Sequence, residues 1–379
     1  MTPRPRPTLF IAFWAEAFLF HKKVFSFMFF LTGQDLVAFF QTQIQMKMKL
    51  NTWCLCLLFG CFTPSLFGQE NPPGLHLLEI PDTFQKDRFW VTVGAGTAIW
   101  GSASVILWNS WYRDYPITRF HTFDDRGEWQ NMDKVGHFTQ TWIESYNGFN
   151  GARWTGMKRQ NARWSAIALG MGLQLTVEVM DGFSEKWGFS WADIGANTLG
   201  AGFFLGQELL WRDQRLKLKV SSRQPTYSDE PVFSTDGAAV SSIKKRADDL
   251  YGGSGAVSFF KDYNAQTYWL SANIHSFLPE RAKNKFLPWL NVAFGYGANN
   301  MFGGFSNTWE EDGAVFTPDP ARYKRYKEFY LSFDVDLSKI KTKSPVLRFA
   351  LGMLNWVKIP APALEVNTLG KVKFHPFMW

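Results

Sequence analysis

The sequence is poor in cysteine and in charged residues. Only three of its 379 residues are cysteines, and all three lie between positions 54 and 61. The rest of the chain therefore has no disulfide scaffold, no zinc site with cysteine ligands and no cysteine nucleophile. It also contains no H-E-x-x-H helix, no phosphate-binding glycine loop and no serine nucleophile elbow. The sequence therefore lacks the common local motifs by which hydrolases and nucleotide-binding enzymes are identified.

Charged residues make up 19% of the chain and aromatic residues 17%. This balance is typical of a protein that contacts lipid, and a large aromatic core would explain it equally well. The net charge of +7 is small, and no RNA-binding motif accompanies the lysines at 341, 343, 371 and 373. We therefore expect no nucleic-acid partner. Attraction to anionic lipid headgroups would explain the small excess of positive charge.

Residues 46–68 have the features of a bacterial signal peptide. Lys47 and Lys49 form a short positive region, and residues 53–62 form an apolar segment of about ten residues, too short to span a bilayer. The small residue Gly68 follows, at the position expected just before cleavage. The sequence therefore predicts an exported protein.

A second interpretation uses residues 58–61, Leu-Phe-Gly-Cys, which approximate a lipobox. Cleavage before Cys61 would leave a lipidated N-terminus, an anchor rather than a membrane span. Residues 1–45 are expected to be a translated upstream extension. The working chain then begins near Gln69 or at Cys61.

The fold class that we predict is α+β, with a helical, membrane-associated four-helix unit followed by a β-rich antiparallel C-terminal region. A linker at 69–88 precedes the helical domain at 89–212. The predicted helices are residues 89–112, 133–150, 164–180 and 191–211. The first contains no charged residue from Phe89 to Tyr112 and is long enough to cross a membrane.

Residues 213–255 are predicted to hold one strand and a linker, and residues 256–379 to be rich in strands. Residues 329–338 alternate apolar and polar, and the same period of two recurs at 268–274, 290–296 and 347–353. The chain ends on aromatic residues, Phe377 and Trp379. Such a pattern suits an outer-membrane barrel or a soluble sheet with one wet face. The six or seven predicted strands are fewer than the eight of a small barrel.

Three polar patches lie in the helical domain: Asp133-Lys-Val-Gly-His137, Glu178-Val-Met-Asp181, and Ser190-Trp-Ala-Asp193-Ile-Gly-Ala-Asn197. Polar and ionisable side chains in apolar helices are costly unless they meet one another. We therefore expect the patches to converge. The candidate catalytic residues are His137, Asp133, Glu178 and Asp193, and the candidate binding residues are Asn197, Asp181 and Ser190.

The converging residues have three possible roles. Carboxylates around a histidine can tune it for acid–base chemistry, or the same groups can bind a cation. They can also form a buried network that fixes the register of the helices without any chemistry. The sequence does not decide among these roles and assigns no metal. We expect no cofactor.

At these patches the chain resembles the uncharacterised envelope proteins typified by the YfiM lipoprotein, over residues 85–212. It is more distantly similar to the VanZ-like membrane proteins, although it lacks their Glu-x-x-Gln and the Arg before the last Asp. The resemblance implies an exported, membrane-associated protein of unknown activity. It supplies no catalytic residues and does not cover the β-rich region.

The leading functional expectation is an envelope protein that binds membrane lipid or an envelope protein partner. The alternative is a hydrolase or transferase acting on a lipid or a cell-wall precursor, with His137 as general base or metal ligand. The expected location is the periplasmic side of the outer membrane, with the inner membrane as the other possibility.

Overall fold

A computed structural model describes residues 78–252 and 255–379. The predicted upstream extension (1–45), the signal peptide (46–68), Cys61 and the first part of the predicted linker (69–77) lie outside the described residues. The described residues belong to one compact unit, so the helices and the strands below belong together.

The first helix, α1 (Lys86–Leu107), buries none of its side chains. It continues as a π-helical turn, Trp108–Tyr112. The backbone N–H of Gln85 donates to the carbonyl of Thr155 at 2.7 Å, which attaches the start of the helix to the rest of the molecule. Residues Lys86–Tyr112 and Arg159–Phe183 are long and apolar enough to cross a membrane, by length and composition only.

Three further helices pack against one another. A 3₁₀ turn (Glu128–Asn131) leads into α2 (Met132–Trp154), which is followed by α3 (Arg159–Phe183) and α4 (Trp191–Leu210). Close approach depends on glycine: a Cβ atom at Gly200 would lie 2.3 Å from the carbonyl oxygen of Phe138. The four-helix unit that the sequence predicts is not confirmed, because α1 buries no side chain against the other three.

The remaining elements follow in chain order. They are β1 (Leu216–Ser222), β2 (Pro231–Phe233), β3 (Val240–Ser242), α5 (Ile243–Tyr251), α6 (Gly255–Lys261), β4 (Gln266–Asn273), α7 (Ile274–Phe277), α8 (Glu280–Lys283), β5 (Leu290–Asn299), β6 (Trp309–Glu311), β7 (Ala314–Phe316), β8 (Tyr326–Val335), a 3₁₀ turn (Leu337–Lys339), α9 (Pro345–Met353), β9 (Ala361–Asn367) and β10 (Val372–Met378). The α+β class is therefore confirmed.

Six of the strands form one antiparallel sheet in the order β1-β4-β5-β8-β9-β10. Two small hairpins, β2-β3 and β6-β7, lie outside it. Each strand of the large sheet therefore pairs with the strand that precedes or follows it among the six. The short helices and the two hairpins lie in the connections between these strands.

Two segments differ from the prediction. Residues 347–353 are helical rather than extended, because Ser344 caps α9 by accepting a hydrogen bond from the N–H of Leu347, and Pro345 occupies the first helical position. The region predicted to hold one strand and a linker, residues 213–255, contains more structure than that. It contains β2, β3 and α5, and Ser242 caps α5 in the same way.

The large sheet is polar on its buried face and apolar on its exposed face. On β8 the side chains of Phe329, Leu331 and Phe333 are about half exposed, at 49%, 47% and 54%. Between them Tyr330 and Ser332 are buried. Further outward-facing apolar side chains are Leu270, Phe294, Leu364, Val366 and Phe374. A soluble sheet packed over an apolar core has the opposite arrangement.

Ion pairs occupy part of the buried face, beside an apolar cluster that includes Trp269, Ala293 and Ala363. The ammonium group of Lys219 is fully buried and lies 2.8 Å from a carboxylate oxygen of Asp334, and Lys217 lies 2.9 Å from Asp336. The hydroxyl of Ser271 donates to Asp334 at 2.6 Å. Charges can be buried in this way only when partners satisfy them.

Two elements cover the buried face. The aromatic ring of Tyr146 on α2 lies 5.8 Å from the ammonium nitrogen of Lys217. The segment after α9 runs along β1, where the N–H of Val220 donates to the carbonyl of Trp356 at 2.9 Å. From that segment Lys358 reaches over the ring of Trp269. The sheet and the helices therefore share one interior.

We expect Asp334→Asn to lower the free energy of unfolding by about 3–5 kcal/mol, because it leaves the buried Lys219 without its counter-charge. Urea unfolding of the purified protein measures the loss. The matched control is Asp248→Asn, which removes the partner of Lys244 from an exposed pair and should leave the free energy of unfolding nearly unchanged. Equal losses in the two variants would contradict the assigned role of the buried pair.

Candidate functional site

The predicted patches meet where the start of α2, the end of α3 and the start of α4 come together. We call the group formed by Asp125, Asp133, Lys134, His137, Glu178, Asp193 and Asn197 the polar cluster. Ser190 caps α4 and fixes its first turn, because its hydroxyl oxygen accepts from the N–H of Asp193 at 3.1 Å.

His137 lies at the centre of the polar cluster. Its Nε2 atom is 3.8 Å from Asp133 Oδ1 and also 3.8 Å from Asp193 Oδ1. Its Nδ1 atom is 3.2 Å from Asn197 Oδ1 and 3.6 Å from Glu178 Oε1. The side chain keeps 13% of its surface exposed and that of Asp133 keeps 23%. The ring is thus surrounded by oxygen atoms but retains an opening.

Lys134 joins three carboxylates. Its ammonium nitrogen lies 2.5 Å from Asp125 Oδ2, 2.7 Å from Asp193 Oδ1 and 2.9 Å from Asp133 Oδ2. The hydroxyl of Ser190 donates to the other oxygen of Asp125 at 2.6 Å. The loop before α2 is therefore attached to both α2 and α4.

Glu178 is fully buried and only partly satisfied. Its Oε2 atom accepts from the N–H of Ser190 at 3.2 Å. Its Oε1 atom, which points toward His137, has no hydrogen-bond partner within the described residues, and neither does the amide nitrogen of Asn197. The hydroxyl of Thr141 donates to Asn197 Oδ1 at 2.9 Å. Buried polar atoms are rarely left in this state.

The carboxylates control the protonation of His137. Burial alone lowers the pKa of the imidazole, but Asp133 and Asp193 outweigh burial and raise that pKa to about 9. In return, His137 and Lys134 overcome the effect of burial on Asp133 and lower its pKa to about 2. His137 is therefore protonated at neutral pH, which does not suit a general base.

The structure brings together His137, Asp133, Glu178, Asp193 and Asn197 from the predicted site. Ser190 contributes as a cap and through Asp125, whereas Asp181 accepts from the hydroxyl of Tyr112 at 2.6 Å and lies outside the polar cluster. Sequence reasoning missed Asp125, which belongs to no helical pattern. It also missed Tyr263, whose hydroxyl donates to Asp133 Oδ1 at 2.8 Å from the β-rich half.

Residues 122–206 match the model of the domain family DUF2279, described as a predicted periplasmic lipoprotein. The matched segment contains every member of the polar cluster and supports an exported protein of the cell envelope. The description gives no activity, and the resemblance to YfiM or to the VanZ-like proteins is not part of it. No curated protein matches the chain. No solved structure matches it either.

Glu144 lies about two turns beyond His137 on α2 and meets α3 instead of the polar cluster. Both of its carboxylate oxygens accept from the side-chain amide of Gln174, at 2.9 and 3.0 Å. Burial raises the pKa of Glu144 to about 7, and the hydrogen bonds of Gln174 and Gln140 oppose that change only in part.

This shift predicts a pH dependence of stability. The folded state holds the proton of Glu144 more tightly than the unfolded state. The contribution of this group to the free energy of unfolding is therefore complete below pH about 4.5 and is lost as the pH rises to about 7. Glu144→Gln removes that loss. Relative to the wild type, the variant should gain about 1–2 kcal/mol between pH 5 and pH 8.

Urea unfolding at several pH values measures the gain, and Glu185→Gln, which removes an exposed carboxylate, controls for the change in net charge. A wild-type and a Glu144→Gln profile that run parallel would contradict the assignment.

Proposed function

We propose that the chain is an envelope protein that binds membrane lipid through its outer surface, and that the polar cluster holds its helices in register. The observation that carries the proposal is the inverted polarity of the six-stranded sheet. Apolar side chains exposed to water lose about 25 cal/mol per Å² relative to burial, so a sheet that exposes them needs an apolar environment. The charged side chains on the opposite face of the sheet are already paired with one another. They therefore gain little from contact with water.

Helix α1 supports the same proposal. It carries no buried side chain, and Trp90, Ile99 and Ile106 are exposed at 61%, 66% and 59%. On α4, Leu199 and Leu210 are exposed at 67% and 76%. Monomeric soluble proteins rarely expose contiguous apolar patches larger than a few hundred Å². Since apolar surface occurs on helices and sheet alike, a lipid environment accounts for it better than one protein partner.

Basic residues near α9 and β10 suggest contact with headgroups. Lys341 and Lys343 precede α9, on which Val346 and Phe349 are exposed at 70% and 57%. Lys371 and Lys373 are exposed at the start of β10. Lysines next to exposed apolar side chains are typical of segments at the surface of an anionic membrane. We place this surface at the periplasmic leaflet of the outer membrane.

The polar cluster fits a structural role in this proposal. His137 as an imidazolium and Lys134 as an ammonium group stabilise the carboxylates that surround them, and these contacts join α2, α3, α4 and the loop before α2. Removing one member leaves buried charges unpaired, so abundance and function should be lost together.

A hydrolase or transferase acting on a lipid or cell-wall precursor is the second candidate. The partial exposure of Asp133 and His137 favours it, because a substrate group could reach the ring. The raised pKa of His137 opposes the general-base role. Loss of a cellular phenotype in His137→Ala, at normal abundance and folding, would favour the enzyme.

Lipid contact can be tested with a fluorescent label on Leu331→Cys, in a chain whose native cysteines are replaced, reconstituted into phosphatidylglycerol and phosphatidylethanolamine vesicles. Because Leu331 lies on the apolar face of β8, we expect nitroxide-labelled acyl chains to quench this label strongly and aqueous iodide to quench it weakly. The matched control is Lys244→Cys, an exposed position on the polar helix α5, which should show the opposite preference.

Preferential quenching of both labels by iodide would overturn the proposal. Location is tested separately, by separating inner and outer membranes on a density gradient and detecting the protein by immunoblot. We expect it in the outer-membrane fraction. Recovery with the inner membrane would contradict the proposed location but not the contact with lipid.

A further inference from the structure

We propose that the polar cluster is also a binding site for one divalent cation of the zinc class, with His137 Nε2, Asp133 and Asp193 as ligands. This inference goes beyond the proposed function, which needs no metal. A chain without the cation could still bind lipid.

The positions of the ligand atoms fit an ion. One atom from each of Asp133, His137 and Asp193 lies within 4.8 Å of the others. An ion equidistant from three atoms separated by 3.8–4.8 Å lies about 2.2–2.5 Å from each, close to the Zn–N and Zn–O distances of about 2.0–2.2 Å. Small side-chain movements would therefore complete the site.

Glu178 provides an independent observation. It is fully buried, and its Oε1 atom points at His137 from 3.6 Å with no hydrogen-bond partner within the described residues. A carboxylate oxygen is costly to bury without a partner. This oxygen faces Nδ1, the ring nitrogen on the side away from Asp133 and Asp193. A metal-bound imidazole donates its other N–H to such an oxygen, so a cation at Nε2 would fix the tautomer that gives Glu178 a partner.

The charge of the polar cluster also favours a cation. Four carboxylates, those of Asp125, Asp133, Glu178 and Asp193, face the single permanent positive charge of Lys134. The imidazolium proton of His137 adds one more, and it would leave when a cation binds the ring. A divalent ion would bring the cluster close to neutrality.

Lys134 and Tyr263 hold the ligands from outside. Lys134 contacts Oδ2 of Asp133, Oδ2 of Asp125 and Oδ1 of Asp193. Asp133 Oδ1 faces His137 and accepts a hydrogen bond from the hydroxyl of Tyr263. Such outer partners orient ligating carboxylates in metal sites. An imidazole among carboxylates favours zinc or manganese over calcium and magnesium, which prefer oxygen ligands alone.

The experiment uses the purified full chain, stripped with chelator, dialysed against Zn²⁺ and analysed for metal by mass spectrometry. We expect about one equivalent of Zn²⁺ per chain, unaffected by excess Mg²⁺. His137→Ala and Asp193→Asn should lose this binding, and Tyr263→Phe should weaken it by about tenfold. The matched control is His375→Ala, which removes an imidazole paired with a single carboxylate, Glu365, on the sheet and should keep the full equivalent.

Co²⁺ titration of the unmutated protein keeps the proposal testable if a variant does not fold. Visible absorption bands of bound Co²⁺ should appear and should be displaced by one equivalent of Zn²⁺. Less than about a tenth of an equivalent of Zn²⁺, absence of such bands, or equal loss of binding in His375→Ala would each overturn the proposal. None of these results would bear on lipid contact, which the Leu331 label tests by itself.

Discussion

The pairing of Lys219 with Asp334 is the interaction on which the arrangement of the sheet most depends. Two charges can occupy the interior of a fold only if each satisfies the other and if hydrogen bonds complete both groups. Asp334 meets this condition with Lys219, with the hydroxyl of Ser271 and with the N–H of Ile359. Because polar groups occupy the inner face of β8, the alternate side chains of this strand are turned outward, and these are apolar.

The helices follow the same rule at the polar cluster. Lys134 and His137 are surrounded by carboxylates from three elements, so that ionisable groups in apolar helices are buried together rather than singly. Around them the outer sides of α1 and α4 are apolar. Tyr263 then connects the cluster to the β-rich half. Both halves of the molecule therefore bury ion pairs beside apolar core clusters and expose further apolar side chains at the surface.

The sequence predicts the helices well because their apolar lengths and caps are local, as Ser190 before α4 illustrates. It also predicts the alternation on β8, but alternation alone does not say which face is buried. Contacts between distant parts of the chain, such as the pairing of Lys219 with Asp334, decide that. The alternating pattern at 347–353 gave a wrong prediction of a strand. Ser344 as the cap and Pro345 at the first helical position begin a helix there instead. Asp125 and Tyr263 could not have been assigned to the site, since contacts distant in sequence bring them there.

The most direct test of the inverted arrangement is alkaline extraction of bacterial envelopes that contain the Cys61→Ala chain, in which no lipid can be attached at that position. High pH releases proteins held at a membrane surface by charge, whereas contact between apolar side chains and acyl chains persists. Our account predicts that the protein stays in the membrane pellet after carbonate treatment. Its quantitative release as a folded protein into the supernatant would contradict the account.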